Sequence, residues 1–312
     1  MISLKQLHYA LAIEKTLHFK KAAEACNVSQ SALSNAINEL EKQLGTTIFE
    51  RNNKQVLITN CGQKILDKAK KIKWELNELL EVSKTNQQPL STPMTIGVIP
   101  TIGPFLLPKV LPDVRKQYPE LKLKIIEEQS HLLVDMVRKG EIDAAILALP
   151  YSIEGLINFD FWQEDLYWVC HKDEYPEKEK EIRSEELELD RLMLLKDGHC
   201  LKEHALTVCR LQNEKQDTEF DSASLHTLIQ MVAGKLGSTI VPQMALDQLI
   251  YNESELRALH LNEPGPHRTI SLIIRPNYVR TKELTILKDI FIEQLTNKCG
   301  LCKASTNTEK TV

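Results

Sequence analysis

Phe19-Lys20-Lys21-Ala22-Ala23-Glu24-Ala25-Cys26-Asn27-Val28-Ser29-Gln30-Ser31-Ala32-Leu33-Ser34-Asn35-Ala36-Ile37-Asn38-Glu39-Leu40 carries the pattern that decides the fold of the head of this chain. Lys20 to Cys26 forms a short helix whose small Ala22-Ala23 pair permits close helix approach. Asn27-Val28-Ser29 then breaks it: Asn suits a helix C-terminal turn, and the Ser29 hydroxyl can accept a backbone N–H bond at the next helix start. That helix spans Gln30 to Leu44, with Leu33, Ile37, Leu40 and Leu44 on one face. The opposite face, with Gln30, Ser31, Ser34, Asn35 and Asn38, is uncharged and rich in amides and hydroxyls. A merely solvated face more often carries Lys and Glu, whereas these groups match base edges in a major groove.

Around this core, Leu4, Leu7, Leu11 and Ile13 mark an earlier amphipathic helix, closed by a turn at Thr16 to Phe19. Helix, short turn, helix is the helix-turn-helix layout. After Gly45, Ile48 to Arg51 and Val56 to Ile58 are β-like runs around Asn52-Asn53-Lys54. They predict a wing whose Arg51 and Lys54 can meet phosphate. Ile65, Ile72, Leu76, Leu79 and Val82 then lie on a lysine-rich helix that needs a partner for its apolar face. Gln87 to Pro93 reads as a hinge.

Charge divides the chain the same way. Residues 1–90 hold 13 basic and 9 acidic side chains, a net +4; the remainder holds 26 and 34, a net −8. A basic head on an acidic body suits a DNA-binding module joined to a soluble partner. The 42% hydrophobic and 26% charged composition excludes a disordered or fibrous chain. No apolar stretch reaches the ~20 residues of a membrane span, and Met1 to Gln6 lacks a secretory layout. The expectation is a cytoplasmic protein with no membrane partner.

The run from Phe19 to Ser34, with Glu39-Leu40-Glu41, Leu44-Gly45, Ile48-Phe49-Glu50-Arg51, Thr59 and Gly62, resembles the head of LysR-type transcriptional regulators. Asn35 and Asn38 depart from the longer basic or amide side chains common there, so the operator cannot be borrowed. The resemblance implies a winged helix-turn-helix over 1–59, a dimerising linker helix and hinge over 60–93, and a sensing domain over 94–298. Partners implied are double-stranded promoter DNA, RNA polymerase, and further copies of the chain in a homodimer or homotetramer.

Beyond the hinge, strand and helix patterns alternate: Met94 to Ile99, Phe105 to Gln117, Leu121 to Ile126, His131 to Lys139 and Ala144 to Leu149. Trp168 to Cys170, Leu192 to Leu195, Leu225 to Ala233, Ser238 to Val241, Thr269 to Ile274 and a final helix from Thr281 to Leu295 continue it. Alternation predicts an α/β fold with a largely parallel sheet and helices on both faces. By resemblance it forms two subdomains of the periplasmic-binding-protein type, 94–163 with 269–298 and 164–268. A flexible tail follows over 299–312. Nothing suggests a phosphate loop, a metal-binding cluster or a Ser/His/Asp arrangement, so neither an enzyme, a cofactor nor a metal is expected.

Seven cysteines do not form a secreted disulfide framework. Cys26, Cys61 and Cys170 read as small buried hydrophobes. Cys299-Gly300-Leu301-Cys302 has no second ligand pair nearby for a full zinc site. Cys200 is different: a helix start is nearby after Gly198, His199 precedes it and Lys202 follows, all favouring a thiolate. Cys209 lies nine residues on. Were the whole run helical, the two sulfurs would lie on opposite faces, about 13.5 Å apart in rise. A disulfide needs Cα atoms within roughly 7 Å.

Gly198-His199-Cys200-Leu201 and the gap to Cys209 resemble the redox loop of the peroxide-sensing OxyR branch of the LysR family. That resemblance implies a reversible Cys200–Cys209 disulfide, with Cys200 peroxidatic and Cys209 resolving, hydrogen peroxide as the signal and thiol reductants for reset. Ile99-Pro100-Thr101-Ile102-Gly103-Pro104 is similar to the branch's peroxide-binding turn. With it the resemblance implies a peroxide site of Thr101, Ser130, His199 and Arg268. Ser130 stands where OxyR proteins typically carry Thr, keeping the hydroxyl and dropping a methyl. Two alternatives stand beside this one: a metabolite-sensing LysR regulator with incidental thiols, and a thiol peroxidase.

Overall fold

A capping box starts the first helix. Gln6 N donates to Ser3 Oγ at 3.2 Å and Ser3 N donates to Gln6 Oε1 at 2.8 Å. The computed structural model describes residues 1–51, 56–82, 89–175, 178–209, 224–250 and 255–298. Two compact units divide at about residue 87.

The N-terminal unit contains α1 (Leu4–Thr16), α2 (Phe19–Ala25), α3 (Gln30–Leu44), β1 (Phe49–Arg51), β2 (Val56–Ile58) and α4 (Asn60–Val82). Ser29 caps α3 as its chemistry predicts, accepting from Ala32 N at 3.2 Å, and Gly45 ends α3 in the left-handed region, with φ 67°. Asn27 is also left-handed, with φ 54°, as a turn between two helices requires. Leu33, Ile37 and Leu40 pack with Tyr9, Ile13, Phe19, Ala22, Ala23, Ile48, Phe49 and Leu66 in one core. Leu4, expected on the apolar face of α1, is half exposed, and Gln6 is buried instead. β1 and β2 pair antiparallel from Phe49↔Ile58 to Arg51↔Val56, the expected wing. Glu41 of α3 ties that wing down: its Oε1 accepts from Ile48 N at 2.7 Å and Phe49 N at 3.0 Å. On α4, Ile72 and Leu79 are exposed.

The second unit contains β3 (Met94–Val98), α5 (Gly103–Gln117), β4 (Leu123–Glu127), α6 (Ser130–Arg138), β5 (Ala144–Leu149), β6 (Ile157–Glu164), β7 (Leu166–His171), β8 (Glu181–Ile182), β9 (Leu192–Met193), α7 (Cys200–Val208), α8 (Leu225–Ala233), β10 (Ser238–Pro242), α9 (Leu246–Leu249), β11 (Leu256–Leu261), β12 (Arg268–Ile274) and α10 (Thr281–Lys298). These strands make two five-stranded sheets, ordered β4-β3-β5-β12-β6 and β8-β11-β7-β10-β9. The chain crosses from the first sheet to the second between Glu164 and Leu166, and returns between Leu261 and Arg268.

The α/β class is as expected, but the sheets are mixed where a largely parallel sheet was predicted. β3 pairs parallel with β4 and β5, whereas β12 runs antiparallel to both β5 and β6, and β7 antiparallel to both β10 and β11. The cause is the crossing itself: strands that leave and re-enter a sheet without a full βαβ crossover run against their neighbours. Among the described residues no helix is long and apolar enough to cross a membrane.

Replacing Glu41 by Ala removes a charged acceptor from two buried amides, a loss of about 1.5–3 kcal/mol per bond. Hydrogen exchange at the Ile48 and Phe49 amides is expected to speed up at least ~10-fold in that variant, with α2 protection unchanged.

Candidate sensing cluster and DNA-binding face

Thr101, Ser130 and Pro150 come within three residues of the ends of β3, β4 and β5, which are parallel neighbours. All three therefore gather beyond the carboxyl ends of the strands, where open α/β sheets offer their binding crevice. Arg268 opens β12 and pairs in register with Glu164, the last residue of β6. Its Nε donates to Glu164 Oε1 at 2.7 Å and its Nη2 lies 2.6 Å from the same oxygen, with neither side chain exposed. The guanidinium also donates to Thr101 Oγ1 at 3.3 Å and to the Thr101 carbonyl at 3.2 Å. Glu164 Oε2 accepts from Met244 N at 2.8 Å. A buried ion pair persists only when its remaining donors and acceptors are met this way.

Cys200 is the first residue of α7 and is buried. Burial pushes its thiol up, and Glu203 adds to that, while the Ser130 hydroxyl, the Arg268 charge and a backbone hydrogen bond from Ala148 pull it down. Ser130 Oγ, itself buried, thus steadies the thiolate while making no well-formed hydrogen bond. The groups that favour the thiolate come from α6, β12 and β5, not from the sequence neighbours expected to do so. Lys202 instead holds Asp197 at 2.8 Å. His199, buried at the start of α7, has its pKa lowered by burial and then by Lys196, so it stays neutral. Gly198 is required in front of it: φ is 94°, and a Cβ there would stand 2.7 Å from Gln129 Oε1.

Cys209 caps the other end of α7, buried, its thiol pushed up to about 12 by burial and by Glu263. Both cysteines are free thiols. Helix α7 is unbroken from Cys200 to Val208, so the two sulfurs face opposite sides, about 13.5 Å apart in ideal rise.

Sequence reasoning missed Glu164 and His204. His204 is buried one turn beyond Cys200, with its Nε2 2.9 Å from the Pro150 carbonyl oxygen and its pKa lowered to about 4. Burial is the main cause of that shift and Arg268 adds to it, while the Pro150 bond opposes it. The i, i+4 spacing from Cys200 was the available signal. Of the other cysteines, Cys170 is buried as expected, Cys26 is half-buried, and Cys61 is exposed, correcting its assignment to the core. Cys61 lies in the first turn of α4, before the helix buries Leu66 and Ala69 in the core. Cys299 and Cys302 lie outside the described residues.

On α3 the structure exposes Gln30, Ser31, Asn35 and Asn38 together with the cap Ser29, and half-buries Ser34. Ser29 Oγ and Ser31 Oγ are 3.0 Å apart. Arg51 ends β1; Lys54 lies outside the described residues.

A winged helix-turn-helix with a polar recognition face, joined to a two-sheet α/β domain with a buried polar cluster beyond its strand ends, defines a DNA-binding transcription regulator with a sensing domain. Residues 4–63 match the bacterial regulatory helix-turn-helix family of lysR type, and residues 87–296 match the LysR substrate binding domain. The chain belongs to the LysR family. It is 36% identical over 289 residues to the HTH-type transcriptional regulator EstR of Acinetobacter baylyi, covering 92% of this chain and 95% of that one. It is 33% identical over 275 residues to the hydrogen peroxide-inducible genes activator of Dickeya chrysanthemi, covering 88% and 90%. Among solved structures, full-length OxyR from Pseudomonas aeruginosa, carrying a Cys-to-Asp substitution, superposes with a TM-score of 0.80 at 30% identity, covering 99% of each chain.

Two outcomes follow from this geometry. Arg268→Met strands the Glu164 carboxylate and is expected to cost about 3–5 kcal/mol in urea unfolding followed by tryptophan fluorescence. Ser130→Ala removes a group that pulls the Cys200 thiol down, so the midpoint of Cys200 alkylation against pH moves upward.

Proposed function

We propose that this protein is a hydrogen-peroxide-responsive, DNA-binding transcription regulator switched by a reversible disulfide between Cys200 and Cys209. The observation that carries this is the setting of Cys200: a buried thiol at a helix start, steadied by Ser130 and by an Arg268 that also holds Thr101. Relatives named for hydrogen peroxide and for OxyR, matching over most of the chain, support it.

In this scheme the Cys200 thiolate attacks one peroxide oxygen. The S–O bond forms as the O–O bond breaks, and the departing hydroxide takes up the proton the thiol lost, giving water and a sulfenic acid. Arg268 and the Thr101 hydroxyl stabilise charge on the leaving oxygen, and Ser130 and His199 line the site. Cys209 then attacks the sulfenic sulfur; the S–S bond forms, the S–O bond breaks, and a second water leaves. Because α7 holds the thiols apart, this second step requires α7 to unwind, which couples oxidation to a change of shape. A thiol reductant restores both thiols by exchange.

The DNA contacts assigned are Ser29, Gln30, Ser31, Ser34, Asn35 and Asn38 in the major groove, with Arg51 and Lys54 on phosphate. Copies pair through α4, whose exposed Ile72 and Leu79 lie seven residues apart, in a homodimer or homotetramer that engages RNA polymerase at promoters. No cofactor or metal enters the scheme.

The test is to oxidise reduced protein with near-stoichiometric hydrogen peroxide, block free thiols, digest with trypsin and search for Asp197–Lys202 joined to Glu203–Arg210. The expected result is that cross-linked pair, lost in Cys200→Ser. Two free thiols, or Cys200 over-oxidised alone, would leave the crevice as a metabolite site.

A further inference from the structure

The second sheet carries a cavity that shares no residue with the cluster at Cys200. It holds about 190 Å³, many times the ~15–30 Å³ that one water needs and short of the ~300 Å³ of a drug-sized site. Trp168 of β7 and Ser238, the first residue of β10, line it from the sheet. Trp168 pairs in register with Ile240, two residues after Ser238, so both side chains stand on the same face. Glu174 and Tyr175 just after β7, and Glu186, Glu188 and Arg191 between β8 and β9, complete the lining.

Two polar atoms of these residues are buried with no hydrogen-bond partner among the described residues: Trp168 Nε1 and Ser238 Oγ. The two residues are only 6% and 4% exposed. Buried polar groups are seldom left so. An indole N–H only donates, whereas a hydroxyl also accepts, so the missing partner must offer an acceptor. The rim adds charge. Three carboxylates line the cavity with one guanidinium, and Arg191 is already engaged by Glu174 at 2.7 Å and the Lys235 carbonyl at 3.1 Å. The field is negative: Glu174 adds to the burial that pushes the Cys170 thiol up to about 12, and Glu186 adds to the burial that raises Tyr175. Carboxylates beside aromatic rings, here Trp168 and Tyr175 with centroids 5.6 Å apart, favour an organic cation. A bare metal ion fits poorly, since it offers the indole N–H no acceptor. An amino acid fits poorly too, since its carboxylate would face three others.

We propose that this cavity binds a small hydroxylated organic cation of the amino-alcohol class. Its hydroxyl oxygen accepts from Trp168 Nε1, its O–H donates to Ser238 Oγ, and its ammonium group lies among Glu174, Glu186 and Glu188. The inference stands independently of the peroxide-sensing function proposed above.

The experiment is calorimetric titration of the reduced full chain with choline, and in parallel with tetramethylammonium, which lacks the hydroxyl, with 3,3-dimethylbutan-1-ol, which lacks the charge, and with acetate. Choline is expected to bind one to one with a Kd of about 1 mM, as suits so small a ligand. Tetramethylammonium should bind about 5-fold more weakly for want of the hydrogen bonds, and neither the alcohol nor acetate should bind. Ser238→Ala should weaken choline about 5-fold and leave tetramethylammonium unchanged, while Glu188→Gln, at an exposed position, should weaken both cations about 2-fold. Absence of choline binding up to about 50 mM, equal binding of choline and its uncharged isostere, preference for acetate, or choline affinity unmoved by Ser238→Ala would each overturn the inference.

Discussion

A single unbroken helix lies between two buried thiols, and the rest of the sensing domain is arranged around that constraint. From Cys200 to Cys209 the chain rises about 13.5 Å in α7, where a disulfide tolerates roughly 7 Å between Cα atoms. As long as α7 persists, the thiols cannot bond. Burial raises both of their pKa values, so each is also a weak nucleophile until something local changes. The reduced state is thereby protected twice, by distance and by desolvation. Formation of a disulfide would have to be coupled to loss of the helix, the bistable element that a switch needs.

The Arg268–Glu164 pair stands where the chain leaves one sheet and where it returns. It is fully buried, and its donors and acceptors reach Thr101 after β3 and Met244 after β10. One ion pair therefore joins both crossings, the turn of the sensing cluster and the end of β10 in the second sheet. The same guanidinium pulls down the Cys200 thiol and helps keep His204 neutral. A single cation can serve all these ends because screening is weak where water is excluded.

Much of this was legible in the sequence. The α3 boundaries, its Ser29 cap and its two faces follow from apolar spacing and cap chemistry, and β5 and α8 were read with their observed bounds. Strand β6 was legible but went unread: Ile157, Phe159 and Phe161 alternate with Asn158 and Asp160 at a strand's period of two, whereas β8 is only two residues long. The electrostatics at Cys200 were misread for a deeper reason. Local sequence offered His199 and Lys202 as thiolate partners, but burial keeps His199 neutral and Asp197 engages Lys202. Desolvation, the Ser130 hydroxyl and the Arg268 charge, the last two 70 and 68 residues away in the chain, outweigh both. Such effects have no periodicity and leave no mark on a local pattern.

The central claim is that α7 and the Cys200–Cys209 bond exclude each other. Hydrogen exchange at the amides of residues 201–209, measured in reduced protein and again after stoichiometric peroxide, tests it most directly. The account predicts protected amides when the thiols are free and loss of that protection, within this segment first, once the disulfide has formed. Protection retained in protein shown to contain the Cys200–Cys209 bond would contradict it.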